Sequence, residues 1–301
     1  MAQFINSIQL PADAKPNFVR DGFIKLDGFV QQESLHQMID IFDKEIEQRE
    51  ENPMETPLDK HMHYGNFSGV TDRINGIDDL AGAICNAPGF RQVASVLDEK
   101  RWLFSHALAF EMLPMQTGLD WHFGFRSFNY VRPEDMGYSL WVPLDPIDAN
   151  GQRGGMSVVS ENHYSGREET KLLAQVCRNQ SDPALVKTAY DNLEGFCNLR
   201  NAVLNKHEVE YSFNVGDALL FNRYVFHRSC QLQSDGPLQR RRALVLRFVH
   251  ADARMDRELL RSQTELFGRL RVNNPPGFGI ELEDIADGEL IFGSNAIQNV
   301  V

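Results

Sequence analysis

Apolar and polar positions follow two different periods along this chain, and the change from one to the other divides it. After a short strand at Gly22-Phe23-Ile24-Lys25-Leu26, the residues Leu35, Met38, Ile39, Phe42 and Ile46 recur at helical spacing with charge on the other face. That pattern predicts a helix from about Glu33 to Arg49. Residues 50–78 are polar and carry Pro53, Pro57, Gly65 and Gly69, which reads as a long loop. A second helix is predicted from about Ile77 to Leu97, interrupted near Pro88-Gly89. From Arg101 the texture becomes that of strands. Predicted strands are Leu103–Met112, Tyr138–Leu144, Gly155–Val159 after the turn Asn150–Gly154, Tyr211–Val215, Gly216–Phe221 and Arg241–His250. Short strands separated by Gly, Pro and Asp turns predict a sandwich or barrel, mainly β with flanking helices.

Residues 161–210 interrupt the strands with polar, helical sequence. Leu172, Leu173 and Val176, then Leu185, Val186 and Tyr190, predict two short helices. An insertion at the mouth of a barrel suits a substrate lid. The tail starts helical at Met255, Leu259 and Leu260 and ends in Pro- and Gly-containing loop. No linker argues for a second unit, so residues 1–301 are expected to form a single domain.

Composition narrows the functional class. Hydrophobic residues make up 42% and charged residues 24%, enough for a sizeable core. The net charge of −12 argues against a nucleic-acid polymer as partner and for a cytoplasmic enzyme. No apolar run approaches the ~20 residues of a membrane span, and the N-terminus lacks a basic segment followed by an apolar one. Cys85, Cys177, Cys197 and Cys230 form no C-x-x-C pair and read as buried reduced thiols.

The chemistry gathers in three places. His122 stands in Asp120-Trp121-His122-Phe123-Gly124, His227 in Phe226-His227-Arg228, and an arginine-rich apolar strand follows at Arg240–Phe248. A His-x-Asp, a distant His and then an Arg is the layout of a non-haem iron site with a 2-oxoglutarate clamp; two histidines and one carboxylate hold Fe(II) on one face. Here glycine occupies the carboxylate position, at Gly124, and glycine cannot ligate metal. On the strand, Arg241, Ala243, Val245 and Arg247 share a face. Inward-facing arginines are costly unless anions meet them, and a dicarboxylate cofactor supplies one. His61 and His63, in the polar loop, read as solvated.

The chain resembles the phytanoyl-CoA dioxygenase-like branch of the Fe(II)/2-oxoglutarate oxygenases, and within it the aliphatic non-haem iron halogenases of the syringomycin type. The resemblance is carried by Phe110-Glu111-Met112-Leu113-Pro114 with Gly118 and Trp121-His122, and by Ser139 and Trp141 on the next strand. Further on it is carried by Gly154-Gly155-Met156-Ser157-Val158-Val159-Ser160, which lacks the family's final Pro-Gly, and by Val215-Gly216-Asp217-Ala218-Leu219-Leu220-Phe221 before His227. It implies a double-stranded β-helix (a jelly roll, cupin-like). It assigns iron to His122 and His227, and the distal carboxylate of 2-oxoglutarate to Arg241, with Trp141 and Phe110 at the cofactor. Arg247, Ser139 and Asn129 would organise the surroundings of a halide, and Gly124 would open the coordination position that chloride fills. The implied reaction couples O2-driven decarboxylation of 2-oxoglutarate to attack on an unactivated C–H bond of a small molecule, free or carrier-tethered, ending in chlorination. Phe123, Phe125, Phe128 and Phe226 would supply dry walls. Three alternatives stay open: a hydroxylase working with two histidines or with Asp120 or Glu134 as the carboxylate, a hydroxylase in which glycine is an introduced substitution, and a non-catalytic binding or partner subunit.

Overall fold

A computed structural model describes residues 5–51, 65–66, 83–116, 118–182, 184, 198–269 and 285–291. The helices are α1 (Ala14–Asp21), α2 (Gln32–Glu51), α3 (Pro88–Leu97), α4 (Arg167–Arg178), α5 (198–207) and α6 (Arg257–Arg269). The strands are β1 (Phe23–Leu26), β2 (Gly65–Asn66), β3 (Trp102–Met112), β4 (Gly137–Pro143), β5 (Met156–Val159), β6 (Glu208–Glu210), β7 (Ala218–Asn222), β8 (His227–Ser229) and β9 (Arg241–His250). The large antiparallel sheet has the order β1-β7-β4-β9-β3-β2 and the small one β6-β5-β8.

The central strands are buried on both faces, which explains their nearly unbroken apolar sequence. One face, with Leu140, Val142, Leu220, Leu244, Leu246 and Phe248, packs on Phe18, Met38, Phe42, Phe90 and Val93 of α1, α2 and α3. The other face, with Trp141, Leu219, Phe221, Ala243 and Val245, packs on Met156 and Val158 of the small sheet. Two sheets around one apolar layer, with helices outside, make the jelly roll that was expected.

Two expectations are corrected. Tyr211–Val215 is not a strand: the ladder takes Glu208–Glu210, and Phe213 makes only an isolated bridge to Ile147. The backbone then turns at Gly216, whose φ of 102° suits glycine. Asp217 fixes that turn by accepting from Gly28 N and Asn214 N, each at 2.8 Å, so the Gly-Asp step aims β7 toward His227. Conversely, α1 lies ahead of the first predicted strand, where the sequence predicts no helix. It ends at Gly22, left-handed at φ 81°, whose N–H returns to Phe18 O. Cys85, Cys177 and Cys230 are buried and free. His61, His63, Cys197 and the predicted helix around Leu185, Val186 and Tyr190 lie outside the described residues, as do residues 77–82 of the second predicted helix. Among the described residues no helix is long and apolar enough to cross a membrane.

Candidate active site

His122 and His227 oppose each other across an antiparallel bridge. His122 N donates to His227 O at 3.0 Å, and His227 N to His122 O at 2.8 Å. Directly opposed residues project to one face, and the ring centroids lie 4.2 Å apart. Each ring is oriented by a carbonyl two residues upstream: Asp120 O is 2.7 Å from His122 Nδ1, and Val225 O is 2.9 Å from His227 Nδ1. A carbonyl only accepts, so Nδ1 carries the hydrogen and Nε2 presents a lone pair in both rings. Burial pushes His122 down to about 4, helped by the Arg247 and Arg126 cations. Burial also holds His227 well below the usual histidine value, with His122 and Arg247 adding to it. Both rings are therefore neutral at pH 7, the state a metal requires.

This donor pair fits a divalent metal as two neutral imidazoles, each oriented by its other nitrogen. Among the described residues no group of three His, Cys, Asp or Glu assembles. Asp120 and Glu134 are exposed and complete no carboxylate triad with the histidines.

Gly124 is close-packed. Its N–H donates to Arg223 O at 2.8 Å, and the chain turns into the 3-10 segment Arg126–Phe128. A Cβ at 124 would come within 2.9 Å of Arg223 Cβ, Arg223 O and Phe128 Cδ2. The direction a side chain would leave from is thus already filled.

Phe128 organises the other assigned residues. The Arg247 and Arg223 guanidinium carbons each lie 5.5 Å from its ring centroid. Arg247 Nη1 donates to Ser139 Oγ at 2.7 Å, because Ser139 and Arg247 are cross-strand partners on β4 and β9. Asn129 follows Phe128 and is 2% exposed, with its Oδ1 buried and unpartnered among the described residues. The structure thus brings Gly124, Ser139 and Arg247 onto Phe128 or its immediate contacts, with Asn129 next to it in the chain.

Arg241 forms a second centre with Trp141 and Phe110. Its guanidinium lies 5.9 Å from the Trp141 ring, its Nε donates to Gly154 O at 2.6 Å, and Nη2 reaches Met112 Sδ at 3.9 Å. Phe110 packs into the same apolar cluster as Trp141. Arg241 is 4% exposed, and no carboxylate among the described residues pairs with it. Burial lowers it to about 10, against the pull of Asp145. The alternate residues behave oppositely: Arg242 forks Asp145 at 2.7 and 3.1 Å, and Arg240 reaches Asp43 at 2.9 Å.

Sequence reasoning missed Arg223. It is 1% exposed, and its guanidinium donates to Phe128 O, Arg132 O and Asp135 O at 3.0 to 3.2 Å, tying the segment after Gly124 to the base of β8. Its only sequence signal is its place between the buried β7 and His227. Phe123, Phe125 and Phe226 are buried in a cluster with Trp121.

The phytanoyl-CoA dioxygenase (PhyH) family profile matches residues 18–243. A comparison with curated protein sequences returned no match. Among solved structures, the chain is similar to the non-heme alpha-ketoglutarate-dependent carbocyclase SnoK from nogalamycin biosynthesis. The TM-score is 0.57 and the identity 15%, covering 97% of this chain and 96% of that one. The epimerase SnoN of the same biosynthesis, in complex with Fe3+, alpha-ketoglutarate and nogalamycin RO, gives 0.57 at 12%, covering 94% and 95%. EctD from S. alaskensis with bound Fe gives 0.55 at 13%, covering 86% and 85%.

Proposed function

The chain belongs to the phytanoyl-CoA dioxygenase family and is an enzyme of the Fe(II)/2-oxoglutarate oxygenase superfamily, and from that premise we propose that it chlorinates an unactivated C–H bond of a small molecule. The observation that carries this reading is Gly124: the residue after His122-Phe123 contributes no ligand, and among the described residues no carboxylate completes the histidine pair.

In this reading His122 and His227 hold Fe(II) through their Nε2 atoms. Arg241 holds the far carboxylate of 2-oxoglutarate, with Trp141 and Phe110 as apolar walls. A buried guanidinium without a carboxylate of its own gains most from a bidentate anion. The metal and 2-oxoglutarate supply O2 activation and hydrogen abstraction when bound. In the same reading this chain's residues orient the two imidazoles, Phe221, whose ring centroid lies 4.7 Å from that of His227, helps exclude water, and cationic Arg247 with Ser139 and Asn129 would form the surroundings of a halide. The substrate is a small molecule, free or carrier-tethered; among the related structures, the epimerase SnoN is in complex with a small molecule, nogalamycin RO. The lid role of residues 161–210 is part of the same proposal.

A second reading has a specific observation in its favour. The close approach of Arg223 O to Gly124 accounts for glycine by packing alone. The protein would then be a two-histidine oxygenase without halide, and the fold also serves a carbocyclase and an epimerase. Product mass from turnover in chloride, in bromide and in halide-free buffer separates the two. Halide-matched mass shifts support chlorination. The same halogen-free product at equal rate in all three buffers overturns it.

A further inference from the structure

Each histidine is preceded by an aromatic residue that the inserted helices hold from outside. Side chains alternate along a strand, so Trp121 and Phe226 project away from the face that carries the imidazoles. Trp121 is 7% exposed, and its indole Nε1–H donates to Asn205 Oδ1 of α5 at 2.7 Å. On the same ring lies the Arg228 guanidinium, 4.9 Å from the centroid, itself forked onto Glu208 just after α5 at 2.8 and 3.1 Å. Phe226 is held in the same way: the Arg200 guanidinium of α5 is 5.1 Å from its ring and pairs with Glu169 of α4 at 3.0 Å. Between these contacts Leu204 is fully buried in the cluster that contains Trp121 and Phe226.

We propose that α5 is a positioning clamp for the metal-binding histidines, and that Asn205 is its polar latch. The inference rests on the reading of His122 and His227 as metal ligands. A buried indole N–H needs an acceptor, and here the acceptor comes from an otherwise exposed side chain on the insertion. Fixing Trp121 fixes the backbone at His122, whose ring direction then depends on the Asp120 carbonyl one residue further back. Partners beyond the ligands themselves change metal affinity by ~10–100-fold, and Asn205 acts one bond network further out, at the lower end of that range. Seating of α5 and tight metal binding are therefore coupled.

Co(II), which absorbs visibly, is the probe, titrated into the full-length protein without 2-oxoglutarate. Asn205→Ala should weaken Co(II) binding about tenfold and broaden or shift the Co(II) absorption bands, beyond any drop in the metal-free unfolding temperature from the unmet indole N–H. Asn205→Asp keeps an acceptor oxygen and should restore both affinity and spectrum. Trp121→Phe should match Asn205→Ala, and the double variant should lose no more than either single one. Wild-type protein that fails to bind Co(II) removes the metal reading on which the clamp stands. Wild-type binding with Asn205→Ala binding within twofold of it overturns the clamp alone. So does a loss that Asn205→Asp fails to restore and that tracks a lowered unfolding temperature.

Discussion

Among the described residues, histidines packed into the fold occur in two settings, and the fold treats them in opposite ways. At the end of β9, His250 Nε2 meets Asp98 Oδ2 at 2.5 Å and Tyr138 Oη at 3.0 Å. Tyr138 also donates to Asp98 at 2.5 Å, and Trp102 adds its indole N–H at 3.3 Å while stacking on Tyr138 at 4.1 Å. That end satisfies itself. At the other setting, His122 and His227 spend Nδ1 on backbone carbonyls, and neither Nε2 has a protein partner among the described residues. The arginines of β9 divide likewise, Arg242 forked on Asp145 and Arg241 left with Gly154 O and Met112 Sδ. A fold that closes its polar networks in one place and leaves them open in another marks where outside groups belong.

The largest effects should come from the open setting. His122→Ala or His227→Ala should abolish metal-dependent succinate formation, a loss of more than ~100-fold, while the fold persists. Full turnover by either variant would dissolve the comparison, because the open nitrogens would then serve nothing. Arg241→Lys keeps the charge but loses the planar fork. It should raise the apparent 2-oxoglutarate requirement by about 10-fold, the scale of one lost charge-assisted bond. An unchanged requirement with Arg242→Lys defective instead would transfer the anion site to the outer face of β9.

Gly124 tests how open the open setting is. Its N–H is bonded to the same carbonyl that a Cβ would approach at 2.9 Å, so the backbone cannot simply step away. Gly124→Ala should cost about 1–3 kcal/mol by overpacking, read as a lowered unfolding midpoint. Gly124→Asp should lose chlorination, and its carboxylate would reach a metal only after the turn at 123–128 shifts. Wild-type stability in Gly124→Ala would mean that the turn yields easily and that packing is not the reason for glycine.

The frame of this comparison was legible in the sequence, and most of its details were not. Runs such as Leu219-Leu220-Phe221 and Ala243-Leu244-Val245-Leu246 announce strands buried on both faces, and the two-residue period still separated Arg241 and Arg247 from Arg242. Motif spacing carried His122 and His227, which the fold then set opposite each other. Tyr211–Val215 misled because Tyr211 and Phe213 do pack inward, although the ladder belongs to the polar Glu208–Glu210, whose carboxylates are taken by Arg153 and Arg228. Arg223 and Asn205 were illegible for a common reason. Their partners are backbone carbonyls and an indole distant in sequence, so nothing in the local sequence distinguishes them from ordinary surface residues.

Acid should separate the two settings by pH, with the smallest effects of the set. His122 sits at about 4 in the fold, against an unfolded value of ~6.5. Between those values the unfolded chain binds a proton that the folded one refuses, so metal-free protein should lose stability as pH falls from ~6.5 toward 4. His227, also lowered, acts in the same direction. Asp98 behaves as a held carboxylate. Burial opposes its charge, but His250 and Tyr138 outweigh burial and hold it far below the usual carboxylate range. Its contribution is complete above ~4 and is lost only as pH falls from there toward its depressed folded value. Thermal unfolding across pH should therefore show two steps. The double variant His122→Gln with His227→Gln should flatten the upper step. Asp98→Asn should remove the lower one and cost about 2 kcal/mol at neutral pH, without altering Co(II) affinity. If Asp98→Asn weakened Co(II) binding as much as it lowered stability, the two settings would be one coupled network rather than two.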